Sequence, residues 1–165
     1  MMTPLDWEYY QNSSFMSRLG NTLAADSITP DDYNVIYFTG GHGVIWDFPD
    51  NEKLQSIAMS IYNQGGIVSS VCHGAAGILN LKTSDGKYLI DGKKVTGFSN
   101  SEEKEVQLDH LVPYLTEDEL VKRGASYEKS ANNWESFAVA DGRLITGQNP
   151  ASGKAVAQKV IETLK

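Results

Sequence analysis

The stretch "IVSSVCHGAAG", residues 67–77, decides how this chain is read. Five uncharged residues rich in Val and Ile predict a strand over 67–71. The small residues 74–79 begin a helix, and Cys72 and His73 stand at the junction. A strand that turns sharply into a helix strains the residue at the turn and pushes its side chain outward, the geometry of a nucleophile elbow. Gly74, Ala75, Ala76 and Gly77 let the two elements pack closely. Amide groups and the dipole of a helix N-terminus favour a thiolate, so Cys72 is expected to be ionised, in an open cleft, facing amide donors. A free cysteine more often behaves as a small buried hydrophobe; the small residues after it and the glycines of residues 40–43 favour the elbow.

Outward from this junction, strands and helices alternate. "NVIYFTGG" (34–41) predicts a strand buried on both faces, as in a parallel sheet. Leu54, Ile57, Ala58 and Ile61 share one face of a helix started by Asp50 or Asn51 and stopped at Gly65. "GKYLIDGKKVTGF" (86–98) predicts a hairpin at Asp91–Gly92 leading into a third core strand. "TEDELVKRG" (116–124) carries a capping-box spacing, Thr116 to Glu119, and ends at Gly124. "SFAVADGRLITG" (136–147) is a second Asp-Gly hairpin. Ser152 caps a last helix with Val156, Val160 and Ile161 turned inward. Residues 1–31 form a polar helical lead-in, with Phe15, Met16, Leu19 and Leu23 on one face, and 32–165 the core of a single domain spanning 1–165. The pattern predicts an α/β fold, a three-layer sandwich with a mostly parallel sheet and helices on both faces.

In such folds ligands sit beyond the carboxyl ends of the strands. "TGGHG", "VCHG", "TGFSN" and "TGQNP" all occupy that position. A backbone N–H near Gly41 and that of His73 are candidate oxyanion donors, with His42 beside them; the alternative for "GGHG" is a tight turn. Neither a dinucleotide fingerprint nor a Walker loop is present. A metal site from His42, Cys72 and His73 is disfavoured, because adjacent residues in a turn seldom aim at one ion, so no metal is expected there. His110 receives no role. Glu102, Glu103 and Glu105 are candidate carboxylates to orient a histidine, and spacing alone does not choose among them.

The chain has 165 residues, 14 Lys and Arg against 21 Asp and Glu, and one cysteine. That acidic balance disfavours a nucleic-acid partner, and no apolar run is long enough for a membrane span. The N-terminus lacks the pattern of a signal peptide. A lone cysteine suits a reducing compartment, so a cytoplasmic protein is expected.

Together, "YNVIYFTGGHGVIWDFPDN", "GGIVSSVCHGAAGILN", "DGKKVTGFSNSEE" and "DGRLITGQNPAS" resemble the ThiJ/PfpI superfamily, with its class I glutamine-amidotransferase-like, flavodoxin-like fold. They resemble more narrowly its heat-shock chaperone and glutathione-independent glyoxalase (glyoxalase III) branch. The resemblance implies Cys72 as nucleophile, His73 and Glu103 as its triad partners, and Gly41 and the His73 amide as oxyanion donors. It implies a small 2-oxoaldehyde such as methylglyoxal as substrate, converted to a hydroxy acid without metal or organic cofactor. The branch also carries, ahead of the segment matched here, a further parallel strand and a glutamate that shuttles protons at the cysteine. No apolar strand precedes Val35, and Glu8 stands in the wrong context to replace that glutamate. The expectation is therefore an exposed sheet edge covered by a homodimer or other pairing, with turnover impaired. A stress-related chaperone-like or redox-sensing protein without turnover, and a cysteine amidase or peptidase, are the alternatives.

Overall fold

The structure is a computed structural model and describes residues 2–165. Two short helices lead in, α1 (Pro4–Gln11) and α2 (Ser13–Gly20), followed by strand β1 (Val35–Phe38). Helices α3 (Val44–Asp47) and α4 (Glu52–Asn63) precede β2 (Ile67–Val71), which runs directly into a 3-10 helix over Cys72–Ile78. Then come β3 (Lys94–Val95), α5 (Asn100–Glu105), α6 (Thr116–Lys122) and β4 (Ser126–Tyr127). The chain closes with β5 (Ala138–Asp141), β6 (Leu144–Gly147) and α7 (Gly153–Thr163).

The main sheet has the order β1-β2-β6-β5, parallel except for the β5/β6 hairpin. Alternation along β2 divides the core. Val68 turns to a cluster with Ala58 of α4, Ala75, Ile78 and Leu120 of α6, whereas Ile67 turns to Ile145 and Val156 beneath α7. The fold is thus an α/β sandwich with helices on both faces of a mostly parallel sheet. Asn51 caps α4 through its side chain to the Leu54 amide, and Gly65 follows the helix at φ +94. That left-handed turn is one glycine adopts without strain.

Five expectations need correction. β1 is not buried on both faces: it forms one edge of the sheet, and Tyr37 is 41% exposed. The chain at Asp91–Gly92 turns without a hairpin, and β3 leaves the main sheet to pair in parallel with β4. Side chains of the main sheet meet it instead, Asp141 accepting from the Lys94 amide and Thr146 from the Thr96 amide. Thr116 is the first residue of α6 rather than its cap, and Glu119 bonds Arg123 and Lys122. Ser152 does not cap α7; its hydroxyl is engaged by Asn149 and the Phe137 amide. Along α7, Val156 is buried but Ile161 is 57% exposed.

In the lead-in, α1 and α2 bury no residue, and Phe15, Leu19 and Leu23 are exposed. No helix among the described residues is long and apolar enough to cross a membrane.

Candidate active site

Cys72 follows the last residue of β2 and has φ +59, in the left-handed region that costs a non-glycine residue about 1–2 kcal/mol. The neighbours explain how the chain tolerates the bend. A Cβ on Gly74 would stand 2.1 Å from the Phe38 carbonyl oxygen, one on Gly77 2.3 Å from the Phe38 ring, and one on Gly40 2.8 Å from Cys72 Cβ. Only glycine lets the 39–43 loop, β1 and the elbow approach this closely.

The sulfur is enclosed rather than open: Cys72 is 6% exposed. The backbone N–H groups of His73 and Gly41 face it. Burial nevertheless pushes the thiol up to about 11; the two amides act against the rise, and Glu102 and Glu103 add to it. The expected resting thiolate is thereby corrected. A seven-residue 3-10 helix and two amides do not offset the loss of water around the sulfur.

His73 Nδ1 lies 3.5 Å from Cys72 Sγ, and His73 Nε2 lies 2.6 Å from Glu103 Oε2. The carboxylate only accepts, which assigns the proton to Nε2 and leaves Nδ1 free to take the thiol proton. Burial holds the His73 imidazole below its ordinary value, against the opposing pull of Glu103. A neutral thiol beside a neutral imidazole is the resting pair, and the proton moves when the sulfur attacks.

The three candidate glutamates separate cleanly. Glu103 is 2% exposed and reaches both His73 and His42, whose Nε2 is 2.8 Å from Glu103 Oε1. Glu102 closes a capping box with Ser99 and accepts from the Trp134 amide and from Asn149. Burial works against its charge, but these donors prevail and hold its carboxyl below the usual range. Glu105 bonds Asn133 at the surface. The His42 ring stacks on His73 with ring centres 4.1 Å apart. Phe98 stacks on the other side of His73 at 4.2 Å, and Trp134 packs on Phe98. His110 is exposed beside Asp109. Sequence reasoning missed Phe98, Trp134 and Asn149. The Ser99-x-x-Glu102 pattern was the available signal that Glu102 is taken by a cap and Glu103 is free to face inward.

The donor set that converges is His42, His73 and Glu103, with ligand atoms within 4.8 Å of one another, and Cys72 is not part of it. Each imidazole bonds its own oxygen of Glu103, so mutual hydrogen bonding accounts for the convergence. Among the described residues no carboxylate bonds the sulfur directly; Glu103 reaches it through His73.

A sequence model of the DJ-1/PfpI family matches residues 10–163. The chain belongs to the DJ-1/PfpI family. It is 39% identical to Glyoxalase 3 of Candida albicans over 91% of this chain and 66% of that protein. It is 36% identical to the Glutathione-independent glyoxalase HSP31 of Saccharomyces cerevisiae, over 94% of this chain and 68% of the relative. The family member thus spans about two-thirds of the length of these curated relatives. Among solved structures, Candida albicans glyoxalase III superposes with a TM-score of 0.89 at 36% identity, covering 98% of this chain and 71% of that one. The Francisella tularensis Rapid Encystment Protein 24 kDa superposes with a TM-score of 0.92 at 34% identity, covering 100% and 73%.

Proposed function

We propose that this DJ-1/PfpI protein is a glutathione-independent glyoxalase acting on a small 2-oxoaldehyde such as methylglyoxal, with Cys72, His73 and Glu103 as its catalytic residues. The observation that carries the reading is the unbroken contact from Sγ through the His73 ring to Glu103. The named activity of the relatives supports the substrate class.

His73 Nδ1 takes the thiol proton as Sγ bonds the aldehyde carbon, giving a hemithioacetal whose oxygen the Gly41 and His73 amides stabilise. The hydrogen on that carbon then leaves as a proton and is replaced on the adjacent carbonyl carbon. The first carbon is oxidised to a thioester and the second reduced to an alcohol, so no external oxidant or reductant enters. His73 first returns the thiol proton to the hemithioacetal oxygen. Its freed Nδ1, hydrogen-bonded to the sulfur, then takes the carbon-bound proton and delivers it to the adjacent carbon, while the hydroxyl proton of the first carbon passes to the oxygen of the second. Water cleaves the thioester, releasing the 2-hydroxy acid and restoring the thiol. Net, one water is added to methylglyoxal to give lactate.

Enclosure of Sγ favours a small aldehyde over a peptide. A protonated thiol is also a poor sensor of oxidants, which act on the thiolate. Replacing Cys72 by Ala is expected to abolish glutathione-independent lactate formation from methylglyoxal, measured by an enzymatic lactate assay. Undiminished lactate from that variant, or none from the unaltered chain, would end the proposal.

A second property rests on a different observation. Two open apolar grooves flank β1, one lined by Leu23, Ile28, Ile36 and Leu54 and the other by Val160 and Ile161. The edge of β1 is self-complementary in an antiparallel pair, so a second copy of the chain is the occupant proposed for it.

A further inference from the structure

We infer that His42 is a positioning residue, whose imidazole ties the glycine loop 39–43 to Glu103 and so fixes both the Gly41 amide and the carboxylate that orients His73. The inference rests on the Cys72–His73–Glu103 arrangement proposed above and names a fourth side chain on which that arrangement depends.

Gly40 packs on Cys72, but at its tip the loop is open. Gly41 has φ +112, and a Cβ on Gly41 or on Gly43 would meet nothing within 4 Å. Its backbone bonds run forward, from the amides of Val44, Ile45 and Trp46 to the carbonyls of Gly41, His42 and Gly43. These start the short helix α3 and do not reach the elbow. Among the described residues, the side-chain hydrogen bond that fastens residues 39–43 to the site is the 2.8 Å contact from His42 Nε2 to Glu103 Oε1. Its partner is buried, where an amide or imidazole donor is worth most and a misplaced one costs most.

The same bond acts on the carboxylate. His73 Nε2 occupies Oε2 and His42 Nε2 occupies Oε1, so the plane of Glu103 is set by two donors rather than one. Loss of the His42 bond frees the carboxylate to rotate away from His73 and frees the Gly41 amide to drift from Sγ. Both changes remove stabilisation from the charged sulfur and from the imidazolium that forms beside it. His42 remains partly exposed, with 35% of its side chain open to solvent, so it is replaceable without opening the core.

His42 also stacks on His73 and lies 5.9 Å from the Phe98 ring, and the test must separate stacking from hydrogen bonding. His42→Gln keeps a donor near the Nε2 position and loses the ring; His42→Phe keeps the ring and loses the donor. The readout is the rate of Cys72 alkylation by iodoacetamide across pH, on the whole chain, with Cys72→Ala as the blank. The other titratable groups facing Cys72 are His73, Glu102, Glu103 and Tyr37, common to both variants. The His42→Phe chain is expected to react about tenfold more slowly near neutral pH, with the midpoint of its profile moved up by about one unit. The His42→Gln chain is expected to stay within about threefold of the unaltered protein. A His42→Phe chain with the unaltered rate and midpoint, or a His42→Gln chain as slow as His42→Phe, would overturn the inference. Alkylation needs no turnover, so absence of lactate from the unaltered chain would sink the glyoxalase reading and leave this result to stand or fall alone.

Discussion

β1 and β2 are neighbours in the sheet and read almost alike, four or five uncharged residues that include Val and Ile and end before glycine-rich turns. Their environments differ sharply. Every residue of β2 is buried and the elbow after it is buried throughout, whereas β1 carries one buried residue, Phe38. The difference is the number of partners. β2 lies between β1 and β6, and among the described residues β1 has a strand on one side only. Apolar content records that a strand is meant to be covered; it does not record what covers it.

The sharpest way to break this contrast is to add a side chain on the buried side. Gly74→Val places a side chain against the Phe38 carbonyl, a backbone atom that cannot step aside. A loss of at least about 3 kcal/mol is expected from urea denaturation, enough to leave much of the chain unfolded. Gly43→Ala, in the loop beyond β1, meets nothing within 4 Å and should move the same curve by no more than about 0.5 kcal/mol. Equal effects at the two positions would refute the packing argument.

A smaller effect distinguishes the two regions by pH. The folded chain keeps the Cys72 proton up to about 11, against an ordinary value of 9.0. A raised pKa in the folded state stabilises fully below pH 9 and ceases to do so as pH rises through about 11, because the unfolded thiol ionises first. The shift corresponds to roughly 2–3 kcal/mol. Between pH 9 and 11 the unaltered protein should therefore lose thermal stability more steeply than Cys72→Ala. Parallel curves would mean that the sulfur is well solvated. Tyr114 and Tyr127, also raised by burial, titrate in both proteins and cancel.

The smallest effect on the isolated chain belongs to the edge. Tyr37→Lys should change stability by no more than about 0.5 kcal/mol, since the side chain is half in solvent. It should nevertheless abolish pairing of two copies in sedimentation equilibrium, because charge on an edge strand opposes strand addition. A dimer that survives Tyr37→Lys and an equivalent charge at Val35 does not use this edge.

Much of this was legible in the residues. Asn51 and Gly65 bracket α4 as read, and Asp141–Gly142 closes the β5/β6 hairpin with Gly142 at φ +59. Cys72 was legible as an elbow because the glycines and alanines after it let strand and helix pack closely. What was not legible depends on long-range competition. The pattern Thr116-x-x-Glu119 matched Ser99-x-x-Glu102, yet only the second caps, because Leu115 rather than Thr116 occupies the cap position of α6 and Glu119 is drawn to Arg123. The state of Cys72 was misread for the same reason. Local sequence supplies the amides that stabilise a thiolate, whereas the packing that dries it comes from distant segments. The role of His42 lay beyond reach, since its partner is 61 residues away.

The left-handed backbone at Cys72 has one more implication. Glycine would occupy that bend without strain, so the backbone cost at this position is borne for the sake of a side chain packed against Val71 and Phe98. A lineage that keeps a side chain at this position holds it against the preference of its own backbone.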